Sequence, residues 1–191
     1  MANNKTPFMD YFRKRWGAYA IKDQLNSKKW FQDLARRITR FSMPNRALKN
    51  TLNGGSPIGK MIFFHYDPKL KDKLPYYDTM PLVMVLGVGP NYMLGLNLHY
   101  LPPDKRAQLM DFFVKNATAN SGGELNSQSA STLDYRAIRA IASDRLIKPT
   151  IKKYLHDHFV TAPVVVNPVE WEIVMFLPTA RWVGQPQGVT V

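Results

Sequence analysis

The chain contains no cysteine, which removes thiol catalysis, disulfide staples and thiolate metal sites together. Acids are scarce: 14 Asp and Glu stand against 26 Lys and Arg in 191 residues, for a formal charge of +12. No stretch approaches the ~18 uninterrupted apolar residues of a membrane helix. Met1 to Asp10 lacks the apolar segment of a secretion signal. A soluble protein made in a cytoplasm, without a membrane partner, is therefore expected. What is present is ample for a packed core, at 45% hydrophobic and 12% aromatic residues, so wholesale disorder is excluded. The length suits one compact domain with at most one appendage.

The positive charge is concentrated at one end. Residues 1–60 hold 13 basic side chains and only Asp10, Asp23 and Asp33, a net of +10, whereas the other 131 residues carry +2. Such asymmetry points to a polyanion or an acidic protein surface as partner, with a solvated tail as the plainer explanation. From Ser27, a candidate N-cap, to Phe41, helical spacing puts Trp30, Phe31, Leu34, Ile38 and Phe41 on one face. Lys29, Arg36 and Arg40 fall opposite, and Asp33 can pair with Arg37. An earlier helical segment, Phe8 to Trp16, surrounds Arg13, Lys14 and Arg15 with aromatics and ends at Gly17. The reading is a basic helical assembly arm over residues 1–50. Its stripe of Trp30, Leu34 and Ile38 would dock on a neighbouring protein, and its cations Arg13, Lys14, Arg15, Lys29, Arg36 and Arg40 would meet an anion or nucleic acid.

Asn50 to Gly59 clusters Asn, Gly, Ser and Pro and marks a boundary. Beyond it the texture becomes that of a sheet. Strands are expected at Met61 to Tyr66, Pro81 to Val88 and Tyr92 to Tyr100, the last two joined as a hairpin by Gly87 to Asn91. Helices are expected over Asp104 to Lys115, Leu133 to Ile147 and Thr150 to Phe159, with a polar loop at 116–131. Val164 to Val166 and Trp171 to Leu177 read as further strands, and Asn167-Pro168 as a turn or helical start. The fold class is α+β: residues 51–191 form a small twisted antiparallel barrel-like sheet with flanking helices.

No motif survives as catalytic. Gly54 to Lys60 fits G-x-x-x-x-G-K, yet Met61 follows where Ser or Thr should hold magnesium, and a strand follows where a helix should begin. It is better read as a turn into the sheet. His65, His99, His156 and His158 are too scattered for a metal site. Asp67, Asp72 and Asp78 are interleaved with lysines, as in a self-paired surface loop. Neither a metal nor a cofactor is expected. The aromatics remain: Tyr76, Tyr77 and Tyr92 sit beside Pro75, Pro81 and Pro90, where extended or turn geometry would present them to a partner. Aromatics among cations equally suit stacking of nucleic-acid bases.

Three blocks add a resemblance. They are Gly59 to Lys69 (GKMIFFHYDPK), Leu74 to Asp78 with Pro81 to Val83, and Gly95 to Pro103 (GLNLHYLPP). With Lys148 to Leu155 and Trp171 to Pro178 they resemble small virion structural proteins of contractile-tailed bacteriophages, of baseplate, tail or DNA-end-protector type. The resemblance implies a non-enzymatic virion component of the tail, baseplate or neck, assembled in the host cytoplasm in symmetric multiple copies beside other virion proteins and packaged DNA. The alternative is a DNA-binding or DNA-end-protecting protein that uses the basic arm.

Overall fold

The computed structural model describes residues 6–17, 19–39, 57–73, 77–119, 145 and 147–177. Two helices come first, α1 (Pro7–Trp16) and α2 (Ala20–Thr39). Three strands follow, β1 (Met61–Phe63), β2 (Leu82–Val88) and β3 (Tyr92–Asn97), then α3 (Pro103–Ala119). Strands β4 (Ile151–Leu155) and β5 (Val164–Val166) and the short helix α4 (Trp171–Met175) complete it. The sheet is antiparallel throughout, in the order β4-β3-β2-β1-β5. Among the described residues it has five strands and is not closed, so the barrel-like expectation is corrected to an open sheet within an α+β fold.

Alternation explains the layers. Met61, Phe63, Leu82, Met84, Leu86 and Leu96 belong to one core, shared with helical residues. Ile62, Val83, Val85 and Met93 belong to a second, smaller core with Phe64, Tyr66, Tyr154 and Phe159. Successive side chains of a strand face opposite ways, and β2 is buried from Leu82 through Leu86 because both of its faces are covered. Entry into β1 is a turn in which Lys60 N–H donates to Pro57 O at 3.0 Å. Gly59 takes φ 83° there, a conformation that favours glycine. The glycine-rich run thus ends in a turn and a strand, as its context implied.

The first and third strands stop short of expectation, at Phe63 and Asn97, with Leu98–Tyr100 a 3₁₀ turn, and two further segments change type. Thr150 to Phe159 is strand β4 followed by a 3₁₀ turn at His156–His158, not a helix. Its Tyr154 is 4% exposed in the second core, where only the pleat of an edge strand delivers it. Trp171–Met175 is helix, not strand, because Asn167 and Glu170 form a capping box at the preceding 3₁₀ turn. Helix α2 also begins seven residues before Ser27. That serine is an interior residue whose hydroxyl lies between the carbonyls of Asp23 (2.8 Å) and Ile173 (2.5 Å). Helix α3 extends through 116–119, which the sequence assigned to the polar loop. Positions 120–131, residues 133–144 of the helix expected over Leu133 to Ile147, and Phe41 lie outside the described residues; Arg145 and Ile147, at that helix's expected end, are turn.

The helices lock to one another through buried polar groups. Arg106 on α3 is completely buried and donates to the carbonyls of Leu98 (2.7 Å), Met175 (3.3 Å) and Leu177. Burial pushes its pKa down to about 9. Asp111, also on α3, caps α1 from outside, accepting from the N–H groups of Phe8 (2.8 Å) and Met9 (2.9 Å). Burial nevertheless raises its pKa.

Arg106→Met should lower unfolding free energy by roughly 2–4 kcal/mol, since three carbonyls lose their donor while an expensive buried cation is removed. Urea denaturation checks this; an unchanged midpoint would refute it. Gly95 gives a second case, because a Cβ there would lie 2.0 Å from Val83 Cγ1 in the core. Gly95→Ala should cost about 1–3 kcal/mol by overpacking, read as a lower melting temperature.

Candidate nucleic-acid interface

The N-terminal helices present a cationic outer face. On α2, Lys22, Lys29 and Arg36 recur at seven-residue steps and are exposed, with Lys28 and Arg37 beside them. Arg13 and Lys14 are exposed on α1. Two of the anticipated cations have local acidic neighbours: Arg13 with Asp10 and Arg36 with Asp33, each at 3.4 Å in largely solvated pairs. Such pairs contribute little and leave their charge accessible. The Asp33 pairing is thus with Arg36, where Arg37 was expected. Arg15 differs: it forms two 2.7 Å hydrogen bonds to Asp23 and stacks over Tyr19 at 4.9 Å. It joins α1 to α2 and is engaged within the chain. Arg40 lies outside the described residues.

The opposite face of α2 lies against the chain's own sheet and helices. Leu34 and Ile38 are each 3% exposed in the main core. Trp30 is half-buried, its Nε1 donating to Glu170 Oε1 at 2.9 Å. Phe31 meets the rings of Phe63 and His99 edge-on at 5.1 and 4.9 Å. The apolar surface required by the stripe is therefore supplied by this chain.

A second concentration of charge and aromatics lies at the β4 edge of the sheet. A cleft of about 300 Å³ is lined by Tyr66, Tyr77, Tyr100 and Tyr154 with Lys69, Lys152, Lys153 and Asp78. Tyr66 and Tyr154 are buried and meet edge to face at 5.1 Å, while Tyr77 and Tyr100 are half-buried. The Lys152 ammonium lies 5.2 Å from the Tyr100 ring, and that of Lys153 lies 4.2 Å from the Tyr92 ring. Burial raises the pKa of Tyr66 and carries that of Tyr154 well above its usual value. Both phenols therefore stay neutral far above physiological pH. Of the expected tyrosines, Tyr77 lines the cleft and Tyr92 opens β3, whereas Tyr76 lies outside the described residues.

Asp78 is held from behind by a buried network. One carboxylate oxygen meets His99 Nδ1 at 2.8 Å and accepts from Asn97 Nδ2 at 2.9 Å; the other accepts from Met80 N–H at 2.9 Å. Asn97 Nδ2 also reaches the Tyr154 hydroxyl at 3.3 Å. His99, 5% exposed and packed on Phe31, has the position of a satisfied core histidine. Asp67 pairs with Lys71 at 3.1 Å, a local surface pairing. Among the described residues no group of three or more His, Asp or Glu is placed to hold a metal ion, and no helix is long and apolar enough to cross a membrane.

Sequence reasoning misses the lysines of the cleft because it takes Ile151 to Leu155 as helix, which disperses Lys152 and Lys153 around an axis. Their signal is available: a β-branched residue, two lysines, tyrosine and leucine run almost directly from Pro149, short enough for a strand. Comparison with known proteins gives one family. The model of the phage T4 terminal DNA protecting protein matches residues 6–190. No curated protein and no solved structure matches.

Replacing Trp30 and Leu34 together with Ser should destabilise the isolated chain by at least ~3 kcal/mol, because a buried leucine alone is worth about 2–5 kcal/mol in such a site. Thermal unfolding of the purified double variant checks this. A melting temperature equal to wild type would return the stripe to the service of a neighbouring protein.

Proposed function

Because the chain belongs to the family of the phage T4 terminal DNA protecting protein, we propose that it is a non-enzymatic bacteriophage protein that binds the ends of linear phage DNA and shields them. The observation that carries this reading is the extent of the family match, residues 6–190, which takes in both the cationic helices and the lysine–tyrosine cleft. The charge supports it. Exposed Lys14, Lys22, Lys29 and Arg37 offer phosphate contacts without sequence information, as protection of any end demands. Protection by occupancy needs no catalytic group. The protein acts in the virion and in the host cytoplasm, where a linear end meets nucleases.

A second reading places it as a multi-copy structural component of the tail, baseplate or neck, meeting other virion proteins through Tyr77, Tyr92 and the outer side of α2. Ile21 and Leu25 favour it, being 78% and 63% exposed one turn apart on that helix. The two readings are compatible, since a DNA end in a particle is surrounded by protein. Recovery with purified particles in fixed copy number tests this one.

Linear duplex incubated with an exonuclease should survive longer when the protein is added, with binding that weakens steeply as salt rises. Each neutralised phosphate contributes about −0.9 to the log-log salt slope. Changing Lys14, Lys29 and Arg36 to Gln should flatten the slope by about 0.9 for every phosphate that is no longer neutralised. Equal digestion with and without the protein would sink the proposal.

A further inference from the structure

Resting on the DNA-end reading above, we propose that the β4-edge cleft takes the terminal nucleotide of a DNA strand, unstacked from its neighbour, and that this cleft distinguishes an end from the interior of a duplex. The cationic helices bind phosphates anywhere along DNA and cannot make that distinction. The cleft has what they lack. At about 300 Å³ it stands at the small end of ligand pockets, the scale of one nucleotide and below that of two. Half-buried Tyr77 and Tyr100 supply aromatic surface for one base without regard to its identity.

The charge fits the same ligand. Lys69, Lys152 and Lys153 line the cleft, the Lys152 ammonium beside the Tyr100 ring and that of Lys153 turned to the neighbouring Tyr92 ring. The single acid, Asp78, is tied to His99, Asn97 and the Met80 N–H. The inner wall is neutral phenol rather than phenolate, so it adds O–H groups and no repulsion of phosphate. A terminal nucleotide is the only one in a duplex with a stack on one side alone, and so the one that leaves its helix at least cost.

The test uses the full chain and three equal-length DNAs: a blunt linear duplex, the same duplex with a two-nucleotide overhang, and a duplex closed at both ends by hairpin loops. Wild type should bind the open forms at least about tenfold more tightly than the closed one, the scale of one stacked base. In Tyr77→Ala combined with Lys152→Gln that ratio should fall toward one, while affinity for the closed duplex stays within about twofold because the helical cations remain. Lys69→Gln, at an exposed position, serves if the double variant melts early. Photo-cross-linking from 5-iodouracil should reach Tyr77 or Tyr100 when the label is terminal and not when it is internal. An end preference kept by the variants, or terminal cross-links confined to α1 and α2, would overturn this inference alone. No end preference in wild type would overturn the DNA-end reading together with it.

Discussion

The Arg106 guanidinium is the point on which the arrangement of helices depends. It enters the core with no exposed surface and ties three carbonyls from two separated parts of the chain: Leu98, where the sheet exits, and Met175 and Leu177, where α4 ends. Helix α4 then receives the N-terminal helices, α2 through Ser27 and, at the turn before it, Trp30, and α1 through Phe8 against Trp171 and Tyr11 and Phe12 against Phe176. Dehydrating a cation is costly, and here backbone dipoles offset part of that cost through Nε and Nη1, while Nη2 has no hydrogen-bond partner among the described residues. The depressed pKa reflects that cost. A buried, directional donor set gives the last turn of α4 one position, and the basic helices inherit it.

The molecule carries two distinct surfaces. A long cationic helix face has the charge for nonspecific, salt-sensitive attraction, and a small aromatic cleft has a shape of its own. They lie on elements that share α2 as a backing: its buried face carries Phe31 against His99, which holds Asp78 in the cleft wall. Movement of α2 relative to the sheet would therefore disturb the cleft through Phe31 and His99 without touching it directly.

Much of this is legible in the residues. The hairpin of β2 and β3, the turn into β1, the start of α3 and the amphipathic face of α2 all follow from periodicity and turn chemistry. Two short segments do not, and they exchange identities. Ile151 to Leu155 and Trp171 to Met175 are each five residues long, too short for period to separate helix from strand. Their surroundings decide: Asn167 with Glu170 caps the second, and the edge of β3 recruits the first. The cleft is half readable. Tyr77 announces itself among aromatics set beside prolines, but the lysines are brought to the cleft by long-range pairing, which no local window contains. The docking stripe illustrates the reverse problem, for an amphipathic helix reveals that a partner surface exists and not which chain owns it.

The pairing of β3 with β4 sets Gly95 opposite Lys152 and Leu94 opposite Lys153. Adjacent lysines on a strand lean to opposite sides, so a slip of one position would exchange their places and expel Tyr154 from the second core. Tyr154 thus serves as a key that admits β4 in a single alignment. The bare backbone of Gly95, with Val83 and the Tyr154 ring crowded against it, is the matching lock. Within five residues the labour is thus divided: Tyr154 sets the alignment of β4, and Lys152 and Lys153 take their sides of the sheet from it.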